Sequence, residues 1–205
     1  TVVGAAWAEG RWAGKTALEF REPSDRVRIF VPGEFNALTL VAWVRVDSFD
    51  TLFSGLLLTD GFVKGAVHWQ FYQGRLRLGI GGDRNPRGRI GTEYDVESVD
   101  PASWLGRWRQ VAAVIDMEKR EIVHYVDGRS VKRAAIAQPH PLALGKCELG
   151  NWGLPDGTGS PPVRNFHGRM DEFMLFNQAL TEAEMVALFE QGRPWPGPVA
   201  VAWPR

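Results

Sequence analysis

The stretch VHWQFYQGRLRLGI, residues 67–80, decides the fold of this chain. Apolar and polar side chains alternate along both halves of the stretch, which is the two-residue period of a β-strand. Between the halves stands Gln73-Gly74, a two-residue turn in which the glycine supplies a positive φ. The stretch therefore predicts a β-hairpin whose two strands pair directly with each other.

Pairing across that turn sorts the side chains of the hairpin onto two faces. One face is apolar and must be core: Val67, Trp69, Phe71, Leu76 and Leu78. The other face is polar and charged: His68, Gln70, Tyr72, Arg75 and Arg77. Such a face is either the solvated side of an antiparallel sheet or a shallow platform for a ligand. An aromatic flank and forked donors suit sugar hydroxyls or an anionic glycan.

Segments with the same period lie on both sides of the hairpin. Residues 38–46 alternate, and residues 108–116 and 121–126 flank a polar turn before Asp127-Gly128 leads into residues 129–133. These connections are too short for the crossovers that parallel strands need. The pattern predicts an all-β fold of antiparallel strands, either a sandwich or a barrel.

A single helix is predicted near the carboxyl terminus. Thr181 and Glu184 form a capping box, and Gly192 closes the helix. We expect this helix to seal one end of the sandwich. Residues 1–192 then form the sandwich domain, and residues 193–205, with four Pro and two Trp, form an extended tail.

Composition narrows the classes of function. The formal net charge is zero, which argues against nucleic acid as a partner. Arginine supplies 19 of the 24 basic residues, which suits forked recognition of carboxylates or sulfates but also follows from a codon-biased genome. The one cysteine, Cys147, excludes an internal disulfide and fits a small core residue. No apolar run is long enough for a membrane span.

Five motifs together resemble the concanavalin A-like and laminin G-like jelly rolls. They are ALEF at residues 17–20, LTLVAWVRV at 38–46, WRQVAAV at 108–114, HYVDG at 124–128 and FHGRMDEFMLF at 166–176. They occur in the order of that family and cover most of the chain. The resemblance implies a two-sheet antiparallel β-sandwich of the jelly-roll kind with residues 166–176 as an inner strand, and lectin-like recognition as the function.

A narrower resemblance concerns location. The strings DRVR at residues 25–28, VPGEF at 31–35, TDG at 59–61 and HWQ at 68–70 are similar to the laminin G-like region of bacterial FecR-type sensor proteins. That likeness implies an extracytoplasmic module, in the periplasm or at the cell surface, that faces a ligand.

Calcium is the cofactor that the family resemblance suggests. Many members hold Ca²⁺ between the opening loop and the G-x-I-D-E strand, and the matching positions here are Asp25 and Asp171. The acidic F-D-G of the family is replaced by Phe20-Arg21-Glu22, which puts a cation where an acid would help. The departure weakens the calcium hypothesis.

A second candidate binding site is the Gly- and Pro-rich segment that includes Asn151, Trp152 and Asp156. Trp152 either stacks on a sugar ring or plugs the segment onto the core. His124 lies on the same strand face as apolar neighbours, which predicts a hydrogen-bonded core histidine rather than a ligand.

Catalysis lacks a sequence signature. Glycoside hydrolases on this sandwich place their carboxylates by an E-x-D-x-x-E string, and none occurs. Asp171 and Glu172 are adjacent and point to opposite faces, and no G-x-S-x-G elbow is present. The sequence therefore predicts a non-catalytic, extracytoplasmic recognition module for carbohydrate or a cell-surface polymer. Two alternatives remain: a structural or protein-interaction domain, and a glycoside hydrolase or lyase.

Overall fold

The computed structural model describes residues 1–84, 90–97, 99–152 and 164–192. Fourteen strands and one α-helix are found in these ranges. The strands in chain order are β1 Val2–Val3, β2 Ala6–Glu9, β3 Thr16–Phe20, β4 Arg26–Val31, β5 Ala37–Ser48, β6 Phe53–Thr59, β7 Val67–Tyr72, β8 Arg75–Arg84, β9 Ile90–Asp95, β10 Trp108–Asp116, β11 Glu121–Val126, β12 Arg129–Ala135, β13 Gly145–Leu149 and β14 His167–Phe176. The helix α1 is Glu182–Gln191.

These strands form two seven-stranded sheets, which confirms the predicted antiparallel sandwich. The first sheet has the order β1-β4-β13-β6-β7-β8-β9, and the second has the order β12-β11-β10-β5-β14-β3-β2. Strand β14 lies between β5 and β3, so the FHGRMDEFMLF segment is the predicted inner strand. Because distant strands are neighbours in both sheets, the chain winds between the sheets as in a jelly roll.

The hairpin of β7 and β8 has the predicted register. Tyr72 pairs with Arg75 and Gln70 pairs with Arg77. Gln73 and Gly74 have φ values of 50° and 74°, as the two-residue turns that match strand twist require. The apolar side chains of the hairpin are buried between the sheets, as predicted.

The core lies between the two sheets. Strand β5 contributes one alternating face to it, Leu38, Leu40, Ala42, Val44 and Val46, and every one is fully buried. Cys147 is buried in the same cluster, where burial raises the pKa of its thiol to about 12 and leaves it unreactive.

Helix α1 begins where the sequence predicts, but it packs on a different part of the sandwich from the one expected. Thr181 and Glu184 make the reciprocal bonds of a capping box. The expected position at one end of the sandwich is wrong: Met185 packs in a second apolar cluster with Val41, Ala112 and Tyr125, on the outer face of the second sheet. That face is apolar at β5, β10 and β11, so it must be covered by another element.

The strands and the helix all fall within the predicted sandwich domain. The predicted tail, residues 193–205, lies outside the described residues. Within the described ranges, no helix has the length and apolar character needed to cross a bilayer.

Candidate functional site

The polar face of the hairpin belongs to the outer surface of the first sheet. Cross-strand pairing continues it onto both neighbouring strands: Phe53 of β6 pairs with Tyr72, and Asp95 of β9 pairs with Arg77. Side chains that pair directly across strands share a face of the sheet. The outer surface is therefore built from four strands, β6 to β9.

His68 and Gln70 differ from the other members of this face because they are buried, with 2% and 4% of their surface exposed. Trp152 and Arg164 cover them. The indole N–H of Trp152 donates to the carbonyl of Thr59 at 2.7 Å, and its ring meets the His68 ring edge-on at 5.1 Å between centroids. Neither His68 nor Gln70 is therefore a solvated platform residue.

The guanidinium of Arg164 lies close to two aromatic rings. Its Cζ is 4.3 Å from the centroid of Phe53 and 4.5 Å from that of Trp152. Its Nη1 donates to Oε1 of Gln70 at 2.8 Å and lies 3.3 Å from Nδ1 of His68. Burial and the nearby Arg77 lower the pKa of Arg164 to about 10, so the group stays protonated at neutral pH.

His68 orients Arg164 without carrying a charge of its own. Burial and then the guanidinium of Arg164 lower the pKa of His68 to about 4. The neutral ring accepts from Arg164 at Nδ1, which leaves Nε2 to donate to the Thr59 carbonyl at 3.2 Å. The buried part of the hairpin face thus holds the arginine in place.

The remaining predicted residues stay accessible. Tyr72 and Arg77 are partly exposed, and the Cζ of Arg77 lies 3.8 Å from the centroid of the Tyr72 ring. Arg77 also donates two parallel bonds to Asp95, at 2.5 and 2.7 Å. Arg75 is exposed and has no hydrogen-bond or ion-pair partner among the residues that the structure describes.

We call this surface the arginine–aromatic face. Its members are Phe53, Tyr72, Arg75, Arg77, Trp152 and Arg164. Aromatic planes and guanidinium donors stand side by side on it, with Phe53 and Tyr72 at 5.0 Å between ring centroids. Aromatic rings accept the apolar faces of planar or ring-shaped ligands, while guanidinium groups donate to oxygen atoms.

The segment after β13 supplies fewer accessible side chains for a ligand than the sequence predicted. Asn151 is buried, its Nδ2 donates to the Pro23 carbonyl, and its Oδ1 accepts from the Trp152 backbone N–H at 2.7 Å. Asn151 therefore positions Trp152 instead of facing a ligand. Trp152 packs against His68 and Thr59, which is the alternative in which it anchors the segment to the sheet, and part of its side chain stays exposed. Asp156 lies outside the described residues.

The sequence pattern did not place three residues beside the hairpin: Phe53 and Arg164, which belong to the arginine–aromatic face, and Asp95, which pairs with Arg77. Phe53 and Asp95 become visible only when β6 and β9 are placed beside the hairpin. Alternation within residues 53–59 gives no such signal, because a bulge interrupts the pairing between Gly55 and Leu57. Arg164 lies about 90 residues from the hairpin in sequence, and no local pattern points to it.

The proposed calcium ligands are both occupied by protein groups. Oδ2 of Asp25 accepts from the backbone N–H groups of Arg21 and Glu22 at 2.8 and 2.9 Å. Oδ2 of Asp171 accepts from Nε of Arg11 at 2.8 Å, and Lys15 lies 3.6 Å from its other oxygen. The described residues contain no group of three or more His, Cys, Asp or Glu side chains that could hold a metal.

Calcium takes six to eight oxygen ligands, and two cations beside Asp171 repel it. The donors in this arrangement therefore do not fit a Ca²⁺ ion, and the family implication for Asp25 and Asp171 gains no support from the geometry.

One cluster has the residue types of a hydrolytic triad. Ser48 Oγ and Asp50 Oδ2 lie 2.8 and 2.6 Å from His167, and both contact the same ring atom, Nδ1. A triad uses both nitrogens, one for the nucleophile and the other for the carboxylate. The cluster is therefore a hydrogen-bonded loop contact, and Ser48 and His167 lower the pKa of Asp50 through it.

His124 is a core residue, as predicted. It is fully buried and pairs with Ala113, and burial lowers the pKa of its ring to about 4. A hydrogen bond with the backbone of Tyr94 offsets part of this lowering of the pKa.

Comparison with protein families matches residues 24–186 to the concanavalin A-like lectin/glucanases superfamily. The chain belongs to this superfamily. A comparison with curated proteins finds no match.

Solved structures share the fold at low identity. The binding domain of Paraclostridial Mosquitocidal Protein 1 has a TM-score of 0.70 and 15% identity, over 92% of this chain and 46% of that one. The binding domain of botulinum neurotoxin serotype D/C VPI 5993 has a TM-score of 0.70 and 11% identity, over 93% and 46%.

A third structure concerns botulinum neurotoxin type C, whose cell entry depends on interaction with two ganglioside molecules. It has a TM-score of 0.64 and 10% identity, over 92% of this chain and 46% of that one. The chain thus spans less than half the length of these toxin chains.

Proposed function

We propose that this superfamily member is a non-catalytic recognition module that binds carbohydrate at the arginine–aromatic face. The observation that carries the proposal is the row of partly exposed rings, Phe53, Tyr72 and Trp152, interleaved with guanidinium groups on the outer surface of the first sheet. A sugar offers both halves of the matching chemistry, since its C–H faces stack on rings and its oxygens accept hydrogen bonds.

Rigidity of the face supports recognition. Tyr72 and Arg77 stand on paired strands, and the side chain of Arg77 is fixed by its forked bond to Asp95. Arg164 is fixed by Gln70, His68 and two rings. A preorganised surface loses little side-chain entropy when a ligand binds.

A non-catalytic role is supported by how the nearby acid is used. Asp95, the carboxylate that pairs with the face, is held in a forked ion pair with Arg77. A glycosidase acid must instead be free to donate or accept a proton beside the scissile bond.

The toxin domains support a binding role for the fold without naming a ligand for this chain. They are binding domains, and the type C neurotoxin is described as interacting with gangliosides. Identity of 10 to 15% over less than half of those chains carries the fold alone.

We also propose an extracytoplasmic location, supported by the FecR-like strings in the sequence. Fractionation of cells that carry the tagged full-length gene product tests this. Recovery in the periplasm or at the cell surface is expected, and recovery in the cytosol overturns it.

Carbohydrate binding is tested with a glycan array followed by calorimetry on the best ligand. Substituting Tyr72→Ala removes a ring from the centre of the face, and we expect affinity to fall at least about 10-fold, since stacking and the contact with Arg77 are both lost. The matched control is Trp7→Ala, which removes an aromatic ring that is 69% exposed on β2 of the other sheet. The control should bind as the unmodified protein does.

The two alternatives have their own readouts. Release of reducing ends or unsaturated uronates from a polysaccharide panel would restore the hydrolase or lyase hypothesis. Absence of every glycan hit, together with a purified protein partner whose binding Trp7→Ala weakens, would favour the interaction domain.

A further inference from the structure

Charge on the arginine–aromatic face is not balanced within the described residues. Three guanidinium groups lie there, and only Arg77 is paired with a carboxylate, Asp95. Arg164 contacts Gln70, His68 and two rings, all of which are neutral. Arg75 has no partner in these ranges. Arg164 and Arg75 therefore have no carboxylate partner among the residues that the structure describes.

The position of Arg164 makes this imbalance costly. Arg164 is partly buried, and its Nε is fully buried with no hydrogen-bond partner among the described residues. The neighbouring Arg77 repels it. Contacts with Phe53 and Trp152 compensate in part, because ring faces attract cations. Charges withdrawn from water in proteins are normally paired with an opposite charge, and the described residues supply none to Arg164.

Resting on the proposed carbohydrate function, we infer that the glycan bound at the arginine–aromatic face is acidic and that its carboxylate or sulfate pairs with Arg164 and Arg75. A guanidinium presents a planar fork that matches both oxyanions, and an aromatic shelf beside it accepts the sugar ring.

The strand geometry fits a polymer better than a single anion. Arg75 and Arg77 are alternate residues of β8 on one face, so their Cα atoms are about 7 Å apart. Arg164 lies against Gln70, the cross-strand neighbour of Arg77. Arg164 and Arg75 therefore lie near the Arg77–Asp95 pair on the same face, and we expect successive acidic sugars of one polymer to pair with both.

The test uses matched polymers that differ only in charge. Dextran is compared with dextran sulfate, and polygalacturonate with its methyl ester, by calorimetry and affinity electrophoresis. We expect each charged polymer to bind at least about 10-fold more tightly than its neutral counterpart. Affinity should fall as salt is raised, since ions screen exposed charges. Polyglutamate serves as an acidic polymer without sugar rings and should bind weakly.

Variants separate a specific site from general charge attraction. Arg164→Gln should reduce binding of the charged polymers at least about 10-fold, and Arg164→Lys should recover it only in part, because the fork is lost. The control is Arg133→Ala on β12 of the other sheet, which also removes one exposed cation and should leave affinity unchanged. If Arg164→Gln fails to fold by circular dichroism, Arg75→Ala carries the test, since its side chain is exposed and unpaired.

The outcomes separate the two proposals. Equal affinity for charged and neutral members of each pair overturns the acidic ligand while the carbohydrate function stands. Equal losses in Arg133→Ala and the Arg164 or Arg75 variant also overturn it, as does polyglutamate binding as tight as polygalacturonate. Binding of no glycan at all, charged or neutral, overturns the proposed function itself.

Discussion

Two arginines of this protein lie over tryptophan rings in nearly the same way but in opposite electrostatic settings. The Cζ of Arg11 is 4.4 Å from the centroid of Trp43, and that of Arg164 is 4.5 Å from the centroid of Trp152. Arg11 is buried and bonded to Asp171 at 2.8 Å. Arg164 is partly exposed and has no carboxylate partner in the described residues.

The surroundings of the two arginines explain their different roles. Arg11 stands on the outer face of the second sheet, where Trp43 also stacks on Phe189 of helix α1 at 5.5 Å between ring centroids. That face is covered and its charges are matched, so its contacts stabilise the fold. The outer face of the first sheet keeps partly exposed rings, and its Arg75 and Arg164 have no carboxylate partner in the described part of the chain, so we propose that its contacts serve a ligand. On this proposal, charge balance separates an arginine–aromatic contact that stabilises the fold from one that binds a ligand.

Breaking the matched pair should have the largest effect. Asp171→Asn leaves the buried Arg11 with the partly exposed Glu172 as its one carboxylate partner among the described residues, and we expect about 3 kcal/mol of stability to be lost. Urea denaturation measures this. The corresponding change on the first sheet, Asp95→Asn, should cost less than about 1 kcal/mol, because both partners there are more exposed. Equal losses in the two variants would contradict the comparison.

Removing the cover of the second sheet should be nearly as costly. Met185→Ala leaves a cavity between helix α1 and the second sheet, where the Met185 side chain is fully buried. We expect the free energy of unfolding to fall by about 2–4 kcal/mol. Val186→Ala, on the exposed side of the same helix, should change stability by less than about 0.5 kcal/mol. Thermal and chemical denaturation test both variants. Glycan affinity should not change in either, since the arginine–aromatic face is on the other sheet.

Lowering the pH should reduce the stability of the protein through His68, which is buried beneath the arginine–aromatic face. The pKa of His68 is about 4 in the folded protein and near 6.5 when unfolded, so the unfolded chain binds more protons between these values. The stability that neutral His68 contributes is fully present above pH 6.5 and is lost as the pH falls toward 4, by about 2–3 kcal/mol. His124 adds a similar loss from the core.

The two histidines are separated by His68→Gln. Urea denaturation at pH 7.5 and pH 4.5 should show a smaller acid loss in this variant than in the unmodified protein, by about 2 kcal/mol. If the loss of stability between pH 7.5 and pH 4.5 is the same in both proteins, His68 takes up a proton in the folded state as readily as in the unfolded state, and the lowered pKa is contradicted.

The smallest effect on stability is expected at the ligand-facing cation. Arg75→Ala should change the free energy of unfolding by less than about 0.5 kcal/mol, because its side chain is exposed and unpaired in the described structure. Its effect on binding of acidic polymers should nevertheless be measurable by calorimetry. A large loss of stability would place Arg75 in the structural class with Arg11.

Local sequence signals were sufficient for the β7–β8 hairpin and for the start of the helix. Alternation in residues 67–80 fixed both strands of the hairpin and their register, since only one pairing puts Trp69 and Phe71 in the core. The capping box at Thr181 placed the start of helix α1 correctly. These signals depend on residues close together in the chain, where backbone geometry leaves few choices.

The accessible surface did not follow from alternation alone. His68 and Gln70 have the same period as Tyr72 and Arg77, yet they are buried, because Trp152 and Arg164 pack over them. Whether a polar strand face meets water depends on what another part of the chain lays across it. The position of helix α1 followed the same rule: its cap is local, but its packing partner is the apolar outer face of a sheet.

The sequence by itself determined the antiparallel β fold, the core face of the alternating strands and the start of the helix. It could do so because side-chain period and turn chemistry act over a few residues. Tertiary structure alone decided which cations are paired. Arg11 meets Asp171 across 160 residues, while Arg164 meets two rings and no described carboxylate. Charge balance is a property of groups close in space, and no spacing along the chain encodes it.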